Sequence, residues 1–70
     1  MIVREMTVAR VRERPGADSI RVAFLESARF YELPKSHPDF DRIVACLREG
    51  QVVKVQLASI ESGIIENVQI

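Results

Sequence analysis

The chain has one cysteine, one histidine and no tryptophan in 70 residues, and its ten basic residues are offset by ten acidic ones. Each shortage excludes something. A lone Cys46 rules out an internal disulfide. With His37 as the sole histidine, no tight zinc site of Cys and His ligands can be assembled within one chain. Zero net charge lacks the positive excess that strong nonspecific binding to nucleic acid or membrane normally brings. Residues 1–35 hold seven basic and five acidic side chains (7 − 5 = +2) and residues 36–70 hold three and five (3 − 5 = −2), an asymmetry too small to matter.

No run approaches the roughly eighteen apolar residues of a membrane-spanning helix. The opening Met1-Ile2-Val3-Arg4-Glu5 reaches charge before an export signal's apolar core can form. With a free cysteine, this predicts a reducing compartment and a cytoplasmic protein. Gly16, Gly50 and Gly63 are scattered, so no glycine-rich phosphate loop exists, and GxSxG, CxxC and HExxH are absent. The expectation is a protein that is not an enzyme and has no catalytic residues, cofactor or metal.

What remains is an ordinary globular composition, 47% hydrophobic and 29% charged, which argues against disorder. The length accommodates a single domain, residues 1–70. A domain of this size buries only about 60% of its unfolded surface and has little stability in reserve. Without a disulfide or metal, good packing or self-association is the available remedy.

The clearest element is a helix over about 39–49. Phe40, Ile43, Val44 and Leu47 fall at i, i+3, i+4 and i+7, on one stripe. Pro38 suits the first helical position, with His37 as the cap. Asp39 and Asp41 complement the positive end of the dipole, Arg48 the negative end, and Gly50 can take a left-handed terminating conformation. Val53, Val55 and Leu57 alternate with Val52, Lys54 and Gln56, the period of a half-buried strand. A last strand carries Ile64, Val68 and Ile70 on one face and Ile65, Asn67 and Gln69 on the other, after a short loop in which Gly63 can take positive φ.

The first half is also β-rich. Residues 2–13 bear apolar side chains on both parities, which predicts a bulge or burial on both faces. Pro15-Gly16 suits the middle of a type II turn. Ile20, Val22 and Phe24 form a second strand, and 27–33 either continues it or forms a third. The pattern reads as β-β-(β)-α-β-β: an α+β domain of two layers, one helix on a four- or five-stranded, mainly antiparallel sheet. A small, partly closed β-barrel with one helix is the alternative.

Several residues invite a functional reading. His37, Asp39 and Asp41 look like metal ligands, but side chains two apart on a helix diverge by about 200°, and helix-start chemistry explains them. Cys46 lies near a helix carboxyl end, where the dipole disfavours a thiolate, and no base is in reach. Arg10, Arg12 and Arg14 share one parity, and Arg21, Arg29, Phe30 and Tyr31 follow on later strands. A face of Arg10, Arg12, Arg21, Arg29 and Tyr31 would suit a small nucleic-acid-binding module. Interleaved Glu5, Glu13, Glu26 and Glu32 favour instead a solvated face with cross-strand charge pairing. Phe24, Phe30 and Tyr31 read as core or half-core, with Tyr31 the aromatic to test first for a surface role. The apolar last strand, with Ile64, Ile65, Val68 and Ile70, predicts more apolar surface than one helix can cover, and hence an interface. The leading expectation is a non-catalytic protein-interaction module that pairs with a second copy of itself, as a homodimer, or with another protein. No membrane partner is expected.

Overall fold

The computed structural model describes residues 1–69. Five strands and one helix follow the expected order: β1 (Ile2–Arg12), β2 (Ser19–Phe24), β3 (Phe30–Pro34), α1 (Phe40–Cys46), β4 (Val52–Leu57) and β5 (Ile65–Gln69). The strands form one sheet in the order β3-β2-β1-β4-β5, antiparallel throughout. The fold is α+β, and the barrel alternative is not needed. The outer strands β3 and β5 do not form a ladder; a single parallel bridge joins Glu32 to Ile64, just ahead of β5.

The mixed parity of β1 has its cause in a bulge. Val8 pairs with Phe24 but Arg10 pairs with Ala23, so Ala9 is the extra residue. Before it Met6 and Val8 point inward; after it Val11 packs against the core while Arg10 and Arg12 are exposed. The next turn forms as its residues dictate: Ala17 N–H donates to the Arg14 carbonyl at 3.1 Å, and Gly16 takes φ +79°. The third strand is separate, entered through a turn at Leu25–Glu26.

The core is a continuous cluster from every element: Met6 and Val8; Ile20, Val22 and Phe24; Tyr31 and Leu33; Ile43 and Leu47; Val53, Val55 and Leu57; Ile65 and Val68. The helical stripe meets it as expected, with Ile43 and Leu47 buried and Phe40 and Val44 packed at its margin.

The helix is shorter than its spacing predicts. It ends at Cys46, where Leu47 N–H turns back to the Val44 carbonyl, so Arg48 falls beyond the last turn. Gly50 does take positive φ, +84°, but it shapes the turn into β4 and donates its N–H to Val8. Asp39, not His37, is the capping residue, and its side chain makes no cap hydrogen bond. His37 acts from outside the helix instead: its Nδ1 accepts the Asp39 N–H at 3.0 Å.

The register of β5 also differs from simple alternation. Asn67 pairs with Gln56 and Ile65 with Leu57, which leaves Glu66 bulged. The bulge turns both Ile65 and Val68 inward, with 1% and 0% exposure, and leaves Ile64 outside the strand, 49% exposed. Ile64 and Val68 therefore do not share a face. Gly63 does not take positive φ. Its carbonyl accepts the Glu32 N–H at 2.7 Å, and a Cβ there would lie 2.9 Å from Arg29 Nη2.

Candidate functional site

β1 is eleven residues long, and its neighbours are six each. It therefore changes partners along its length. Residues 2–7 pair with β4, and from Val8 onward it pairs with β2. Each half is left with one side lacking a strand.

Thr7 fixes which backbone groups face the open side of the first half. Its carbonyl accepts from Leu25 N–H at 3.0 Å, and its N–H donates to Glu26 Oε1 at 2.7 Å, so both point away from β4. Antiparallel strands alternate strictly in this respect. Val3 and Glu5 hence point their N–H and C=O the same way, and those groups have no partner among the described residues. The stretch is flanked by apolar surface: Val3 is 53% exposed and Leu25 is 71% exposed.

Glu26 closes one end of this edge. Its second carboxylate oxygen accepts from Thr7 Oγ1 at 2.8 Å, so one side chain occupies the place where β2 would otherwise continue. The Thr7 N–H and hydroxyl bonds, with a smaller contribution from Arg4, hold the Glu26 carboxyl below its ordinary value. A depressed carboxyl stabilises the fold above the unfolded group's titration range and loses that contribution as pH falls through the folded value. The expected result for Glu26→Gln is a lower urea midpoint than wild type near neutrality and the same midpoint in acid. Parallel pH profiles for the two chains would contradict it.

The other strand edges are treated differently. On β5, His37 Nε2 donates to the Glu66 carbonyl at 2.6 Å, while Val68 N–H donates to Asn67 Oδ1 at 2.9 Å. Arg42 holds the same Asn67 oxygen at 3.1 Å and reaches the Val68 carbonyl at 3.5 Å. Side chains of the helix and its approach thus occupy the backbone groups that a new strand would use. Both ring nitrogens of His37 thus serve backbone groups, Nδ1 the Asp39 N–H and Nε2 the Glu66 carbonyl. On β3, Glu32 N–H is taken by Gly63, Pro34 has no N–H, and its carbonyl accepts from His37 N–H. The second half of β1 carries exposed Arg10 and Arg12, and charge on an open edge discourages pairing.

The residues that sequence parity groups into interfaces are dispersed. Of the last-strand group, Ile65 and Val68 are core, Ile64 is half-exposed at the bridge to Glu32, and Ile70 lies outside the described residues. That strand is not a two-faced apolar surface. Among the arginines, Arg12 lies opposite Arg21, which reaches Glu32 at 3.9 Å, and Arg10 lies opposite Ala23, itself beside Phe30.

Tyr31 belongs to the inner face. It is 1% exposed, set edge-on to Phe24 at 5.6 Å, and its hydroxyl accepts from Arg4 Nη1 at 3.2 Å. The residue with surface exposure is Phe30, at 49%. Parity carries this signal: Tyr31 alternates in step with Leu33, whereas Phe30 is in step with Glu32. Arg29 is used within the fold, 5.5 Å over the Tyr31 ring and donating to the Glu61 carbonyl at 3.0 Å.

Among the described residues no cluster of His, Cys, Asp or Glu side chains could hold a metal ion, and no helix is long and apolar enough to cross a membrane. No family model, curated protein or solved structure matches the chain.

Proposed function

We propose that this chain is a small, non-catalytic, cytoplasmic protein-interaction module that receives a partner's strand along the first half of β1. One observation carries the reading. The unpaired Val3 and Glu5 backbone groups lie on an edge bearing apolar Val3, while side chains occupy the outer backbone groups of β5. Open strand backbone beside apolar side chains is the physical basis of recognition by strand addition. Backbone bonds would supply affinity, and the side chains on either face would supply selectivity.

Site-specific photocross-linking in cells tests this. A photoreactive side chain at Val3 should give discrete adducts, and the same group at Gln69 on β5 should give none. Absence of adducts at Val3, or an equal yield at both positions, would rule out β1 as the docking edge.

A second reading has its own observation. Arg12 and Arg21 lie directly opposite one another, an arrangement that costs stability in a sheet, and Arg10 and exposed Phe30 share that face. A single-stranded nucleic acid would relieve the repulsion and stack on Phe30. This reading predicts binding to oligonucleotides that weakens with salt and with Arg12→Ala. No binding at low salt would end it.

A further inference from the structure

We infer that the strand received by β1 is β1 of a second copy, paired antiparallel about a two-fold axis at Val3. The inference rests on the docking edge proposed above and names its occupant.

Three features of the edge support this choice. The first is its shape. Open backbone groups run through Val3 and Glu5 and stop at the Thr7–Glu26 clamp, so a partner strand can be only a few residues long. A short flexible peptide would lose much of so small a gain in becoming ordered. A second β1 arrives already held straight by β4, so that cost is reduced.

The second feature is charge. Two self-pairings set the open groups of Val3 against open groups of a second copy, those of Glu5 in one and those of Val3 in the other. One centres on Arg4 and sets Arg4 opposite itself, which is unfavourable. The other centres on Val3. It sets Val3 against Val3, Arg4 against Ile2 and Glu5 against Met1, so no like charges face each other. The apolar residue falls on the axis, and the charged residues lie to either side of it.

The third is closure. An isologous contact uses the same edge on both copies and leaves none of it over. The capped β5, β3 with its Gly63 and His37 contacts, and the second half of β1 with its exposed Arg10 and Arg12 do not offer a ready second edge for growth. The assembly therefore stops at two chains rather than extending into a fibre.

The register makes a geometric prediction. Val3 and its counterpart form a hydrogen-bonded pair, with Cα atoms about 5.5 Å apart, within the range a disulfide spans. In a Cys46→Ser background, Val3→Cys should cross-link into a dimer under oxidised glutathione, and Arg4→Cys or Glu5→Cys should do so far less.

Sedimentation from micromolar to millimolar concentration supplies the companion test. The wild-type chain should pass from one-chain to two-chain mass. Val3→Pro removes an N–H that the pairing with β4 does not use, and should remain a folded monomer. Val3→Lys keeps the backbone intact and sets two ammonium groups on the axis; it should also remain monomeric. Far-ultraviolet circular dichroism confirms that each variant is folded.

A two-chain mass that survives both substitutions would overturn the inference, as would preferential cross-linking through Arg4→Cys. A wild-type monomer at millimolar concentration would overturn the second copy as occupant. The photocross-linking result from Val3 in cells would then still decide whether the edge receives a different protein, so the two failures are distinguishable.

Discussion

Replacing Ile43 with aspartate should abolish folding. Ile43 is the one residue of α1 with no exposure at all, and it inserts into a core assembled from all five strands. A chain of this length is stabilised by a few kcal/mol, on the scale of about 0.05–0.15 kcal/mol per residue. Burying a charge with no partner exceeds that reserve. Ile43→Ala, which removes apolar volume without adding charge, should cost about 2–5 kcal/mol, a large share of that reserve, and lower the urea midpoint sharply. Val44→Asp should fall short of the Ile43→Asp effect, because Val44 is only partly buried at the margin of the core. Circular dichroism against urea reads all three. A cooperative transition for Ile43→Asp at the wild-type midpoint would mean that α1 does not seal the sheet through this face.

Two adjacent isoleucines should behave in opposite ways. Ile65→Ala should cost about 2–5 kcal/mol, the penalty for truncating a fully buried aliphatic side chain. Ile64→Ala should stay within about 0.5 kcal/mol, as surface positions do. The contrast depends on the bulge at Glu66, which turns Ile65 and Val68 inward and leaves Ile64 half-exposed. Regular alternation would put Ile64 and Val68 on the core face and Ile65 outside, and would reverse the ranking. Urea midpoints of the two variants at equal protein concentration settle the register of the strand. Dilution separates a core effect from an interface effect, because only the latter depends on concentration.

Much of this architecture follows from local patterns. The spacing of Phe40, Ile43, Val44 and Leu47 predicts both the helix and its buried side, and Pro15-Gly16 predicts the turn it forms. The mixed parity of residues 2–13 calls for a bulge, which falls at Ala9. Alternation in 52–57 gives β4 and its inner face.

What local patterns miss is what distant residues decide. Glu66 has nothing in its own chemistry to mark it as a bulge; the pairing of Asn67 with Gln56 and Ile65 with Leu57 forces it out. His37 and Arg42 protect β5 from 29 and 26 residues away, so spacing within either segment carries no trace of their role. The same holds for Tyr31, whose hydroxyl is satisfied by Arg4, 27 residues away, and which therefore sits inside. The open edge did leave one signal, in the length of β1. A strand of eleven residues beside strands of six must leave part of its backbone uncovered.

Residue-resolved amide hydrogen exchange on dilute, monomeric protein reads the open edge of β1 directly. Val3 and Glu5 should exchange at rates close to those of an unstructured chain, while Arg4 and Met6, bonded to β4, and Val68, capped by Asn67, should be protected. Protection of Val3 and Glu5 in the monomer would contradict this, because the edge on which the proposed interaction depends would already be occupied.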